Sequence, residues 1–146
     1  METLSEISIN YKPFTLLSSL PIIINSKDVE AHFRGVWSDK MQYIEETYVL
    51  LLNRANKPLG FSKISIGGTT GTVVDVKVVF QTALKANASS IVLCHNHPSG
   101  NLKPSEADIR ITKAIKEAGK LMEIPLADHL IITQEGYFSF ADEGML

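Results

Sequence analysis

The fourteen residues 95–108, HNHPSGNLKPSEAD, constrain this chain more than any other stretch. They place two histidines, a serine and an aspartate directly behind the apolar run 89–94, SSIVLC. In a strand, alternate residues share a face with Cα atoms ~6.6 Å apart, so His95 and His97 project side by side and can converge on one ion. The same alternation sends Cys94 to the opposite face beside Val92, as a core residue. Pro98 and Gly100 then break the strand and turn the chain. Asp108 falls in the first turn of the helix that opens after Pro104, on the face of Ile111, Ile115 and Ala118 that looks into the core. A buried carboxylate is costly without a cation or donors beside it. Two neutral imidazoles and a carboxylate are a zinc-hydrolase donor set that leaves a fourth position open to water. The run 105–108 also fits a capping box, with Ser105 at the N-cap and Asp108 bonding back to it. Capping accounts for Ser105 and Asp108 but leaves two inward histidines without a purpose, so the combination favours a metal site.

The rest of the chain reads as scaffold. At 146 residues it suits one domain with a proper core, and 45% apolar with 21% charged residues is ordinary for a globular protein. A formal net charge of −2 announces no basic field for a nucleic acid. One cysteine excludes a disulfide framework and any multi-cysteine zinc site, and is compatible with a reducing cytoplasm. The opening METLSEISINYKPF has no basic start followed by an apolar core, and no apolar run approaches the ~20 residues that cross a bilayer. The expectation is a soluble, cytoplasmic protein with no membrane contact.

In chain order, residues 1–24, broken by Pro13 and Pro21, read as an extended N-terminal arm or edge strand, and residues 25–146 as the domain. Ser26 caps a helix with Asp28 and Glu30 in its first turn and Val29, Phe33, Val36 and Trp37 at helical spacing, ending near Ser38. Residues 43–53 form a strand buried on both faces, and 59–66 return beside it after the turn at 56–58. GGTTGT at 67–72 lacks the lysine and spacing of a phosphate loop and reads as a bend or bulge. Asp75 caps a helix whose apolar face is Val76, Val79, Phe80, Ala83 and Leu84, stopping at Asn87. After the strand 89–95 comes the helix from Pro104 to about Gly119, then a strand at 127–133 paired with 137–140.

His-x-His-Pro, six residues, Ser, two residues, Asp is the motif of the JAMM (MPN-plus) zinc metallopeptidases, and His95, His97, Pro98, Ser105 and Asp108 match it position for position. With HNHPSG, LADHLIIT and the closing GYFSFADEG, the chain resembles the RadC-like JAB domains from about Tyr43 onward. The resemblance implies an α/β fold, a mixed, largely antiparallel curved sheet flanked by helices in the JAB/MPN, cytidine-deaminase-like architecture. It implies one Zn2+ per chain held by His95, His97 and Asp108, with Ser105 positioning the attacking water or the oxyanion. It also implies an upstream glutamate as general base. RadC-like chains tend to read Glu-x-aromatic-x-Val there, and counting back from Val49 selects Glu45, with Thr47 in the aromatic's place and Glu46 in reserve. His129 and Asp128 sit in the matching LADHLIIT segment and are candidates to support the site from behind, although a structural histidine is the simpler reading. His32 reads as a solvated residue on the polar side of the first helix. Asn96 stands where Ser or Thr is common in eukaryotic JAMM enzymes; it faces away from the ligands, so little effect is expected of the replacement. Asn101 and Lys103 lie in the loop beside the site. Full-length RadC proteins carry a helix-hairpin-helix region that this chain has no room for ahead of residue 25, so a DNA-binding role is not transferred.

The implied reaction is hydrolysis of a peptide or isopeptide amide in a protein substrate, small amide conjugates also being open. A nuclease is one rival, since 95–97 spells HNH; in that nuclease motif the three residues are dispersed, and basic surface is expected. A nucleoside deaminase needs His-x-Glu and Pro-Cys-x-x-Cys, which are absent. A non-catalytic, DNA-repair-associated metal-binding module of the same family is the remaining alternative.

Overall fold

Every residue of the first strand, Glu46–Leu52 (β1), is buried, and its side chains separate by parity into two cores. A computed structural model describes residues 4–8, 10–13, 16–68 and 73–146. β1 pairs antiparallel with Pro58–Ile66 (β2) on one side and with Ser90–Asn96 (β3) on the other. β3 pairs parallel with Leu126–Ile132 (β4), and β4 antiparallel with Tyr137–Ser139 (β5). The result is an open five-stranded sheet in the order β2-β1-β3-β4-β5, mixed and mostly antiparallel as expected.

Among the described residues, three α-helices cover it. Ser26–Val36 (α1) packs Val29 and Phe33 against Tyr48, Leu50, Leu52, Val92, Cys94, Leu130 and Ile132. Val76–Lys85 (α2) and Glu106–Leu121 (α3) cover the other face, where Val79, Phe80, Ala83 and Ile115 meet Val49, Leu51, Ile91 and Leu93. Even-numbered residues of β1 and β3 thus face α1 and odd-numbered ones face α2 and α3. Cys94 is a core residue on the α1 side. The α3 crossover is what joins the two parallel strands, and it runs close to the sheet. A Cβ on Gly119 would lie 2.5 Å from the Ile124 carbonyl oxygen.

Three local expectations need correction. Asn25, not Ser26, caps α1: its side chain accepts from Asp28 N at 3.0 Å, while Asp28 Oδ2 accepts from Asn25 N. The Ser26 hydroxyl is drawn away to Tyr137 Oη at 3.0 Å and Asp142 Oδ2 at 2.5 Å, tying α1 to the C-terminal turn. Leu84, at the edge of the α2 stripe, is 51% exposed rather than packed. His32 is half-buried rather than solvated, its pKa is lowered by that burial, and its Nε2 has no hydrogen-bond partner among the described residues. The described part of the arm holds a short 3-10 turn at Leu17–Ser19 and no strand; Ile23 N donates to Asn56 O at 2.8 Å. Residues 69–72 of the glycine-rich connection lie outside the described residues.

Candidate metal centre

The site forms where β3 ends and α3 begins. His95 Nε2 lies 3.0 Å from His97 Nε2 and 3.2 Å from Asp108 Oδ1, and His97 Nε2 lies 3.1 Å from Asp108 Oδ2. One donor atom each from Glu45, His95, His97 and Asp108 falls within 4.8 Å of the others. Donors bound tetrahedrally to zinc at ~2.0–2.1 Å would stand ~3.3 Å apart, so the spacing of the three motif atoms suits one ion of that size. The donor chemistry fits as well: two imidazoles and two carboxylates form a nitrogen–oxygen set for a divalent metal.

Parity decides which glutamate joins them. Thr47 pairs with His95 across the β1–β3 ladder, so Glu45, one step of two earlier, shares the α2/α3 face with His95. Glu46 faces the other way. Its carboxylate is buried against Ser38 Oγ and an ion pair to Lys63 Nζ at 2.5 Å. Glu46 N donates to Asn96 Oδ1 at 2.7 Å, and Asn96 Nδ2 donates to Met41 O at 2.7 Å and Ile44 O at 2.8 Å. Asn96 faces away from the ligands, as expected, and its three bonds pin the segment that presents Glu45.

Asp108 serves both readings of its position. Its Oδ2 accepts from Ser105 N at 2.8 Å and Ser105 Oγ accepts from Asp108 N at 3.1 Å, a complete capping box, while the same carboxylate meets both imidazoles. A carboxylate has about four acceptor positions, so the two roles do not compete. Ser105 itself is exposed at the helix start. His97 Nδ1 donates to Asn101 O at 2.6 Å, which turns Nε2 toward the site; it is the backbone of Asn101, invisible in a motif, that does this. His129 is buried behind His95, with Nε2 2.8 Å from His95 Nδ1 and Nδ1 2.6 Å from Thr112 Oγ1, its ring stacked on Phe140. Asp128 does not accompany it. Its carboxylate turns to the opposite face and accepts from Ser139 Oγ at 2.6 Å, Ala141 N at 3.0 Å and His129 N at 2.7 Å. Thr112 escaped the motif reading, although a threonine four residues after Asp108 on an apolar helix face was a signal for it.

Burial pushes the Glu45 carboxyl up, against the pull of the two imidazoles. Burial would also raise Asp108, but the two imidazoles against its carboxylate and the Ser105 N–H outweigh it and hold it well below the usual carboxylate range. His97 is raised because Asp108 outweighs the burial that opposes it. Burial holds His129 well below the ordinary histidine value and therefore neutral. An open cleft of about 380 Å3 runs from Glu45, His95 and Asp108 out between Val74 and Ile111. Among the described residues, no helix is long and apolar enough to cross a membrane.

An open mixed sheet with this donor cluster at the end of its third strand defines a JAB/MPN-type domain whose clustered side chains could hold a metal. The RadC-like JAB domain family matches residues 23–145, and the chain belongs to it. It is 52% identical over 101 residues to a UPF0758 protein of Flavobacterium johnsoniae, covering 69% of this chain and 44% of that protein. A UPF0758 protein of Porphyromonas gingivalis is 48% identical over 103 residues, covering 70% and 45% of the two chains. One from Thermosynechococcus vestitus is 45% identical over 101 residues, covering 69% and 40%. The chain spans about half the length of the curated relatives it matches.

Proposed function

We propose that this chain is a zinc-dependent hydrolase of the JAMM type that cleaves a peptide or isopeptide amide bond in a protein substrate, working in the cytoplasm. The observation that carries the reading is the approach of Glu45 to three metal-donor side chains at the foot of an open cleft. When bound, zinc supplies a Lewis acid that polarises the amide carbonyl and acidifies a water.

The chain's own groups do the rest. His95, His97 and Asp108 hold the ion. Glu45, on the face of His95 with its pKa raised, takes the proton from the attacking water and hands it to the departing amine. The Ser105 hydroxyl uses only its oxygen lone pair in capping α3, so its hydrogen can be donated to the developing oxyanion, a role that can be worth roughly 3 kcal/mol. The apolar walls at Val74 and Ile111 exclude water and suit an apolar substrate side chain beside the scissile bond.

The test is zinc content by elemental analysis together with hydrolysis of a peptide library and of an isopeptide-linked ubiquitin-like conjugate, before and after chelation. We expect one zinc per chain, cleavage that chelation stops and zinc restores, and loss of both in His97→Ala. A fully zinc-loaded chain that cleaves neither substrate class would favour the non-catalytic module. Full zinc retention by His97→Ala would overturn the ligand assignment.

A further inference from the structure

Behind the site a run of hydrogen bonds begins and ends on metal-donor residues. Thr112 Oγ1 lies 2.6 Å from the Asp108 carbonyl oxygen and 2.6 Å from His129 Nδ1, and His129 Nε2 lies 2.8 Å from His95 Nδ1. Thr112, His129 and His95 are all at most 3% exposed.

We propose that Thr112 and His129 are positioning residues that set the proton order on His95, leaving its Nε2 lone pair bare and aimed at the metal. The direction of each bond follows from the chemistry of its ends. A carbonyl oxygen only accepts, so the single hydroxyl hydrogen of Thr112 goes to Asp108 O. The Thr112 oxygen must then accept, and His129 Nδ1 must carry a hydrogen. Among the described residues, the two ring nitrogens of buried His129 meet only Thr112 Oγ1 and His95 Nδ1 and neither faces a carboxylate, so the ring carries the one hydrogen that Thr112 takes and its Nε2 is bare. Nε2 therefore accepts from His95 Nδ1–H. A neutral His95 with its hydrogen on Nδ1 has no hydrogen on Nε2, the nitrogen that faces His97 and Asp108. The stack of His129 on Phe140, with ring centroids 4.9 Å apart and planes 8° apart, holds the ring in the plane that contains both bonds. The backbone carbonyl of one donor residue thus orders the imidazole of another, through a threonine that touches no ion.

The inference rests on the metal reading above, but its tests separate from that reading. In Thr112→Val the shape stays and the hydroxyl goes, so His129 can place its hydrogen on either nitrogen; Thr112→Ser keeps the hydroxyl. With zinc alone as the probe and a competing chelator as the readout, Thr112→Val is expected to bind zinc roughly 10- to 100-fold more weakly, and Thr112→Ser to restore most of the loss. Nitrogen-15 correlation spectra of the full chain, with and without zinc, should show His129 protonated on Nδ1 in the wild type and a mixture in Thr112→Val. A hydrogen on His129 Nε2 in the wild type overturns the proposal, as does zinc affinity in folded Thr112→Val within twofold of wild type. Should Thr112→Val not fold, the wild-type spectrum decides alone. Failure of the wild type to bind zinc sinks the metal reading, while the His129 spectrum still supports or overturns the proton order.

Discussion

The side-chain oxygen of Asn96 accepts from the backbone of Glu46 at 2.7 Å, and this one bond ties the end of β3 to the start of β1 just where Glu45 enters the site. The Asn96 amide nitrogen also donates to Met41 O and Ile44 O, so its three bonds hold the whole approach to β1. Removing them leaves a buried N–H and two carbonyls without partners, each worth roughly 1–3 kcal/mol where water cannot reach. Asn96→Ala is expected to cost about 3 kcal/mol in denaturant unfolding, because water will reach part of the gap. Zinc stoichiometry should survive, since no donor is touched, while hydrolysis falls with the loosened Glu45. A variant with full stability and full turnover would remove the tether from the account.

Glu45 and Glu46 are neighbours with opposite duties. Glu45→Gln is expected to keep the fold and the zinc and to lose about 10²- to 10⁴-fold in turnover, the usual worth of a positioned base. Glu46→Gln should keep most turnover and lower the unfolding midpoint instead, because it breaks the pair with Lys63. The reverse pattern in the two variants would mean that Glu46, not Glu45, serves the site.

The same pair makes a pH prediction. Burial alone would raise the Glu46 carboxyl, but the hydrogen bonds from Lys63 and Ser38 outweigh it, so its folded pKa lies below its ordinary value. A carboxyl with a depressed folded pKa contributes stability that is fully present above its unfolded value, about 4.3, and is lost as pH falls through the folded one. Glu46→Gln should flatten the acid limb of a stability–pH curve below about pH 4.3. Lys63→Met should flatten it too. Because the Lys63 side chain is 35% exposed and screened by solvent, that change should cost roughly 1–3 kcal/mol, less than breaking a fully buried pair.

Gly119 lies against the connection that leads from α3 into β4. Helix propensity would favour alanine there by about 1 kcal/mol. The added carbon would meet a backbone carbonyl at 2.5 Å, and a backbone atom cannot swing aside as a side chain can. Overpacking of this kind costs about 1–3 kcal/mol, so Gly119→Ala should be net destabilising in thermal or denaturant melts. A stabilised variant would show that the crossover can slide.

Much of this was legible in the order of residues, for identifiable reasons. His95, His97 and Asp108 lie within fourteen residues, so strand alternation and one helix turn bring them together without long-range knowledge. Glu45 is fifty residues upstream of His95, and only the antiparallel register of β1 on β3 places the two on one face. What escaped depended on distant partners. Ser26 and Asn25 are equally good caps locally, and the choice was made by Tyr137 and Asp142 more than a hundred residues away. Asp128 and His129 are adjacent in a strand, which by itself requires them to point apart. The Asn101 contribution is a carbonyl, which every residue type has, so no motif could mark it.

The parallel pairing of β3 with β4 has one more consequence. A chain that must return to the same end of the sheet before laying down its next strand needs an overpass, and α3 is that overpass. The ion would then bolt the foot of the overpass to the strand it leaves. Stripping the metal should therefore be felt first at residues 98–104, as faster amide exchange along that ramp, while the sheet beneath keeps its protection.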